Sequence, residues 1–369
     1  MSEELAPTVP EKHEFPCGAC GADLEFKPGA DRLECPYCGH SQAIQKRGDQ
    51  LIAEYSFENA LQEARTRRPS ELMQGGHEVR CTGCGASSVV AGQAARCPFC
   101  DAPVVVEESK DLVIVPESVL PFKLDAKVAK ERFKEWVKSR WFAPNDLARR
   151  AELAGMDGVY LPYWTYDSST STRYSGLRGD HYYVTETYRD QQGNTRTRQV
   201  QKTRWTPRSG RVQVNFDDVL VCASKSLPRP LVEGLEPWDL GALTSYEPSY
   251  LSGFLAERYG VDLQAGFRVA EDRMAPQIRA AICRDIGGDV QQVLSMDVAH
   301  SRVKWKHFLL PLWISSYRHG SKVYRFLVNA RTGEANGERP YSAIKITLAV
   351  LVGLAVAYGI YLVVQSQGG

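Results

Sequence analysis

The rhythm of hydrophobic and polar positions changes several times along the chain. Residues 1–12 are largely polar, lack the apolar run of a secretory leader and read as a disordered leader. Short apolar clusters at Leu24–Phe26 and Ala43–Ile44 predict brief strands, and residues 45–76 read as a connector. Within it Ser56 is placed to cap a short helix over Glu58–Arg67, before Pro69 and Gly75-Gly76 break the pattern. From Asp111 the pattern becomes that of a larger domain. Val128, Phe133, Trp136 and Val137 recur at helical spacing and predict a helix over Ala126–Trp141, stopped by Pro144. A β-rich stretch from Val159 to about Ala223 follows. Helical spacing returns near Ser249–Tyr259 and Val269–Arg284, ends at Gly287-Gly288, and gives way to a second β-rich stretch from Val290 to Glu334. The fold class is α+β.

Leu161-Pro162-Tyr163-Trp164 recurs as Leu310-Pro311-Leu312-Trp313. With a helix ahead of each copy and strands behind, this predicts an α+β domain over 109–342 built from two related units, 120–225 and 249–342.

The last change of rhythm is the sharpest. Ile346 to Val364 is nineteen residues without a charge, eleven of them Ile, Leu or Val. A helix rising about 1.5 Å per residue needs about that length to cross a hydrocarbon core of ~30 Å. The sequence predicts a transmembrane helix over 344–364 with a short tail, 365–369. Arg331, Arg339 and Lys345 precede the span and no Lys or Arg follows it. By the positive-inside rule the N-terminal bulk faces the cytoplasm, in a single-pass, tail-anchored protein of the inner membrane. Ala349, Gly353 and Ala357 repeat at a spacing of four, a ridge of small residues suited to helix packing and to an oligomer through the span.

Composition adds little until the cysteines are placed. The chain has 369 residues, 43% hydrophobic and 24% charged, with a formal net charge of +1 that gives no global preference for nucleic acid. Eight of the ten cysteines form four Cys-x-x-Cys pairs: Cys17/Cys20, Cys35/Cys38, Cys81/Cys84 and Cys97/Cys100. They fall into two quartets with parallel phrasing. Cys17-Gly18-Ala19-Cys20-Gly21-Ala22 matches Cys81-Thr82-Gly83-Cys84-Gly85-Ala86, and Cys35-Pro36-Tyr37-Cys38 matches Cys97-Pro98-Phe99-Cys100. Two knuckles supply four thiolates to one tetrahedral ion, so the quartets predict tandem zinc ribbons at 13–44 and 77–108, holding two Zn²⁺ ions. Two disulfides per quartet would require an oxidising compartment, and a rubredoxin-like iron centre is the rival metal. Four protein ligands close each site, which makes it structural. Cys222 and Cys283 lie in apolar runs and read as packing residues.

Charge separates the candidate partners. Residues 13–44 carry five acidic residues against Lys27 and Arg32, and 77–108 carry four against Arg80 and Arg96. Both ribbons have the wrong sign for phosphate, which favours docking to protein. Basic residues gather instead between Arg173 and Arg211, nine against three acidic ones. His181–Tyr188 and Thr195–Trp205 read as a polar hairpin across Asp190–Asn194. On its second arm Arg196, Arg198, Lys202 and Arg204 share one face, with Tyr182, Tyr183, Tyr188 and Trp205 interleaved. A solvated face, anionic lipid headgroups and nucleic acid are the three readings of that arm.

Sequence signatures of catalysis are missing. There is no Gly-x-x-x-x-Gly-Lys-Ser/Thr, no Gly-x-Ser-x-Gly, no His-Glu-x-x-His and no Gly-x-Gly-x-x-Gly. The seven histidines are scattered, and Asp217-Asp218 reads as a turn. The ribbons, Leu161–Tyr166, Leu310–Trp313, Val328–Glu334, Gly337-Glu338-Arg339-Pro340-Tyr341-Ser342 and the terminal span together resemble a bacterial family of membrane-anchored proteins with TFIIB-type double zinc ribbons. Its members are often labelled "primosomal protein N′ (replication factor Y), superfamily II helicase". This chain lacks the P-loop lysine and any Asp-Glu dipeptide, so helicase activity is not expected of it. The resemblance implies association with flotillin-like (SPFH) or phage-shock-type membrane proteins. The expectation is a non-enzymatic membrane adaptor, with a membrane-tethered nucleic-acid-binding protein using the 173–211 arm as the alternative.

Overall fold

The computed structural model describes residues 15–44, 54–66, 73–144, 147, 155–190, 193–319 and 322–367, apart from 82–83, 85, 91–96, 101 and 103. The expected leader at 1–12 lies outside them.

Ribbon 1 is an antiparallel meander of β1 (Glu25–Phe26), β2 (Arg32–Glu34) and β3 (Ser41–Ala43). β4 (Tyr55–Ser56) leads into α1 (Phe57–Thr66), where the Asn59 amide donates to Ser56 Oγ at 3.4 Å. Ribbon 2 comprises β5 (Met73–Cys81), β6 (Ser87–Val90) and β7 (Val104–Ile114). Gly75 and Gly76, expected to end the connector, lie inside β5 where its register to β7 shifts between Gln74 and Gly76. A bulge accommodates glycine in a ladder, so the glycines mark an irregularity and not a break.

Beyond the ribbons come β8 (Ser118–Val119) and α2 (Ala126–Lys138). The helix stops before Trp141 because Ser139 caps it: its amide donates to the Glu135 carbonyl at 3.1 Å and its hydroxyl to the Trp136 carbonyl at 2.7 Å. Two long strands, β9 (Asp157–Arg189) and β10 (Thr195–Cys222), make up the first β-rich stretch and pair with each other as an antiparallel hairpin. α3 (Arg229–Glu233) and β11 (Thr244–Ser245) cross to the second half. Residues 249–259 are not a helix. They form a 3₁₀ turn at Pro248–Leu251 and then β12 (Leu255–Glu257), which is drawn between β9 and β6 as a sheet strand. α4 (Leu263–Ile286) starts earlier than its apolar spacing predicts, because Asp262 caps it by accepting from the Ala265 amide at 2.7 Å. β13 (Val290–His319), β14 (Lys322–Asn329), β15 (Ala335–Gly337) and α5 (Ala343–Gln367) complete the chain.

One twelve-stranded sheet organises the molecule, with β13 and β9 antiparallel at its centre and β12 joining ribbon 2 to it. Ribbon 2 is therefore a continuation of the sheet. The two Leu-Pro motifs meet in the central ladder, where Leu161 pairs with Leu310, Pro162 with Leu309 and Tyr160 with Pro311. Around that point the two halves repeat the same scheme. β12 runs parallel to β9 at Val159 and Tyr160, as β8 does to β13 at Phe308 and Leu309. Trp164 Nε1 donates to the Val261 carbonyl at 2.9 Å, and Trp313 Nε1 to the Leu124 carbonyl at 2.8 Å. The Ala223 amide donates to Pro162 and receives Gly260 and Val261 on its own carbonyl. The Ala330 amide donates to Pro311 and receives Lys123 and Leu124. Even the helix caps correspond, Asp125 for α2 and Asp262 for α4. The recurring tryptophan fixes the segment that leads into each half's helix.

Side chains alternate across the central strands, and both faces are covered, as a near-continuous apolar run requires. Val159, Leu161, Tyr163, Phe308, Leu310 and Leu312 face ribbon 2 and the 227–243 segment. Tyr160, Leu309 and Trp313 face ribbon 1 and α2, whereas Trp164, Tyr166 and Trp305 face α4. The buried cysteines of the two ribbons thus pack against opposite faces of the central strands. Cys17 and Cys35 belong to one core cluster and Cys81 and Cys97 to another.

Candidate metal centres and the surfaces around them

Each quartet closes as the spacing predicts. In ribbon 1 the sulfurs of Cys17 and Cys38 are 3.6 Å apart, as are those of Cys20 and Cys35. In ribbon 2 the separations are 3.5 Å for Cys81–Cys100 and 3.7 Å for Cys84–Cys97. All four sulfurs of each quartet lie within 4.8 Å of one another. A disulfide needs an S–S distance of about 2.05 Å, so none of these pairs is bonded, and none of the ten cysteines is in a disulfide. With metal–sulfur bonds of about 2.3 Å, a tetrahedron has edges of about 3.8 Å. The donor sets therefore fit one tetrahedral zinc ion each.

Backbone geometry supports the thiolates. Gly21, just after the first knuckle, has φ +75°, and Gly39, after the second, has φ +74°. A side chain at either would be strained in that region. These turns bring amides onto sulfur: the Ala19 amide donates to Cys17 Sγ at 3.4 Å. The backbone amide of Cys38 holds the Cys35 thiol down at about 7, against the opposing effect of burial. Contact with the Cys97 sulfur holds Cys84 down to about 5, again against burial. Thiols that share protons in this way release them when a cation arrives.

The two ribbons differ in what surrounds them. Ribbon 2 has its second knuckle pressed into the core. Phe99 is fully buried (0%), Ser316 Oγ donates to the Pro98 carbonyl at 2.7 Å, and Arg325 Nε donates to the Phe99 carbonyl at 2.8 Å. Tyr37, at the matching position of ribbon 1, is 83% exposed. Beyond the buried Cys35, Pro36 through Ala43, the rest of the second knuckle and β3, is exposed to solvent. Ribbon 1 is instead held through its first half, by Phe26 N to the Ser252 carbonyl at 3.0 Å and Gly29 N to the Phe122 carbonyl at 2.9 Å. Ser316 and Arg325 carry no sequence signature, because each lies in an ordinary strand far along the chain from the knuckle it holds.

The basic hairpin is the outer part of a longer arm. β13 accompanies β9 only as far as Gly179, which pairs with Val290, so residues 180–189 and 195–204 form a two-stranded tip. Arg196, Arg198, Lys202 and Arg204 do share a face, but the facing strand brings acids to it. Arg196 pairs with Asp190 at 2.9 Å, while Arg198 and Lys202 pair with Glu186 at 3.3 and 3.1 Å. Arg204 lies over the Tyr182 ring at 5.5 Å and Arg198 over Tyr188 at 5.5 Å. Two carboxylates across the ladder, Asp190 and Glu186, thus engage three of the four cations that the second strand shows alone.

Asp217 and Asp218 sit at a β-bulge, with Asp218 at φ +50° and its amide donating to Asp167 Oδ1 at 2.8 Å. Asp167, Asp217 and Asp218 come within 4.8 Å of one another, but Lys306 Nζ occupies the site at 2.7 Å from Asp218. Through Lys306, Asp218 belongs to an ion-pair network with Glu54 and Lys304. On α5, Ala349, Gly353 and Ala357 follow one another at helical spacing, and a side chain at Gly353 would meet nothing within 4 Å. The helix is long and apolar enough to cross a membrane over Ala343–Gln365.

No protein-family profile and no solved structure matches the chain. A relative described as the uncharacterized protein YdjG of Bacillus subtilis (strain 168) is 23% identical over 336 residues, covering 90% of this chain and 91% of its own length. The similarity runs along nearly the whole of both chains, and the relative's description assigns no activity.

Proposed function

We propose that this chain is a non-enzymatic, membrane-anchored adaptor. α5 spans the inner membrane, the ribbons and sheet face the cytoplasm, and ribbon 1 is the surface presented to protein partners. One observation carries the reading: two ribbons with the same phrasing are used differently. The ribbon 2 knuckle is consumed by the core, with Phe99 buried, whereas the ribbon 1 knuckle leaves Tyr37 83% exposed above an acidic module. An exposed aromatic on a rigid, metal-held turn costs little to order on binding, which favours its use as an anchor. Partners of basic surface suit it, and flotillin-like or phage-shock-type membrane proteins are candidates by family resemblance.

The nucleic-acid reading rests on the hairpin, whose cations are largely paired with Asp190 and Glu186. Affinity purification from membranes separates the two. The adaptor reading expects defined membrane-protein partners that survive nuclease and are lost with Tyr37→Ala, while the variant retains its zinc and its thermal midpoint. Partners that vanish on nuclease treatment and persist with Tyr37→Ala would sink it.

A further inference from the structure

Where α5 leaves the folded domain, its first turn is tied to one corner of the α+β unit. The Ser342 amide donates to the Phe142 carbonyl at 2.8 Å, and Lys345 Nζ donates to the Ala143 carbonyl at 2.8 Å. A lysine in the first turn of a helix opposes the helix dipole. Here its ammonium is instead drawn sideways onto the 140–143 corner, so the corner and the start of α5 share one depth.

That corner is unlike the rest of the surface. Trp141 is 63% exposed and stacks edge-on against Phe142 with ring centroids 5.2 Å apart. Tyr341 is also 63% exposed, with the Arg339 guanidinium over its ring at 5.1 Å, and Ile344 beside it is 82% exposed. Arg140 lies over Trp136 at 5.2 Å, and Lys138 ends α2 just ahead of it. Two aromatics, one aliphatic and four cations therefore collect at the level where the apolar span begins. Large apolar rings in water are unfavourable, but amphipathic rings flanked by cations match the headgroup layer of a bilayer.

We propose that Arg140–Ala143 and Arg339–Lys345 form a collar that beds in the cytoplasmic lipid interface, with Trp141 and Tyr341 at the level of the acyl carbonyls and Arg140, Arg339 and Lys138 against the phosphates. The occupant is lipid, because the corner is hydrogen-bonded to a helix whose next residues are apolar on every side. The collar rests on α5 spanning a membrane. It goes beyond that reading in making the sheet domain a body held at a fixed depth and tilt, not one swinging from a tether. It also moves the lipid contact from the hairpin to the corner.

Tryptophan reports on this directly. Trp141 and Trp205 are exposed, whereas Trp136, Trp164, Trp238, Trp305 and Trp313 are each 8% exposed or less. The full chain is reconstituted in vesicles of phosphatidylcholine and phosphatidylglycerol, with and without lipids brominated near the carbonyl end of the acyl chains. Flotation after alkaline extraction is measured on the same samples. The collar predicts that bromine quenches part of the emission, that Trp141→Phe loses most of that quenching, and that Trp205→Phe keeps it. A chain that floats but is not quenched, or whose quenching survives Trp141→Phe, overturns the collar and leaves the span intact. A chain that does not float overturns the span, and the collar with it. Because Trp205→Phe retains the native corner, the prediction stays testable even if Trp141→Phe does not fold.

Discussion

His307 shows how far one residue can depart from what its neighbours in sequence imply. It reads as one of seven scattered histidines, yet in the sheet it is 3% exposed and lies tilted against Trp164, with ring centroids 4.5 Å apart. Neither ring nitrogen makes a well-formed hydrogen bond. Burial pushes its pKa down to about 4, against the opposing pull of the Ile114 and Val115 backbone. For a base with a depressed pKa, the folded state favours the neutral ring. Its contribution is therefore present in full above the unfolded value of about 6.5 and is lost as the pH falls from there towards about 4. The shift corresponds to roughly 3 kcal/mol across that window. His307→Phe should flatten the fall in unfolding free energy on acidification, relative to the native chain, as measured by urea titration at a series of pH values. An unchanged slope would mean the ring is hydrated or already protonated. The cysteines are the opposite case: spacing alone foretold which sulfurs would meet, because four thiols around one ion leave few alternatives.

Elements were legible where a local rule decided them and obscure where tertiary pairing did. α2 and α4 could be read from apolar spacing, but their ends were set by Ser139, Asp125 and Asp262, polar residues whose hydrogen bonds spacing does not report. The 249–259 segment failed for a different reason. Leu255 and Ala256 are apolar neighbours that suit either a helix or a short buried strand, and only the gap between β9 and β6 decided it. The corresponding caps offer a check on the repeated scheme. Asp125→Ala and Asp262→Ala should each lower stability by about 1 kcal/mol, with additive effects in the double variant, since each removes one amide partner. Chemical denaturation of the three variants measures this. A cost confined to one site would show that the second cap is incidental.

At the scale of the molecule, the sequence divided the chain into ribbons and a separate domain, and the structure joins them. β6 adds to the sheet through β12, and the buried cysteines of both ribbons lie within the core clusters. Such joins are invisible in sequence because they link short strands of unremarkable composition across long separations. They also change what metal removal should do. A free-standing ribbon would melt alone, whereas these should carry the sheet with them. Zinc chelation is expected to lower the thermal midpoint of the near-ultraviolet tryptophan signal in one cooperative transition, with two equivalents of zinc released. Two separate transitions, the sheet melting at its original temperature, would show that the ribbons are energetically independent.

The ladder that pairs Leu161 with Leu310 has a further consequence for how the chain is made. β9 emerges from the ribosome with β10 close behind it, but its other neighbour, β13, begins only at Val290, more than a quarter of the chain after β9 ends at Arg189. Until then one edge of β9, including its buried segment Val159–Tyr166, has no native partner, a state open to wrong pairing. β13 and β14 supply the missing half only shortly before α5 is translated. Closure of the sheet and delivery of the apolar helix are thus nearly simultaneous, and a cell that makes this protein has to shield both surfaces at the same moment.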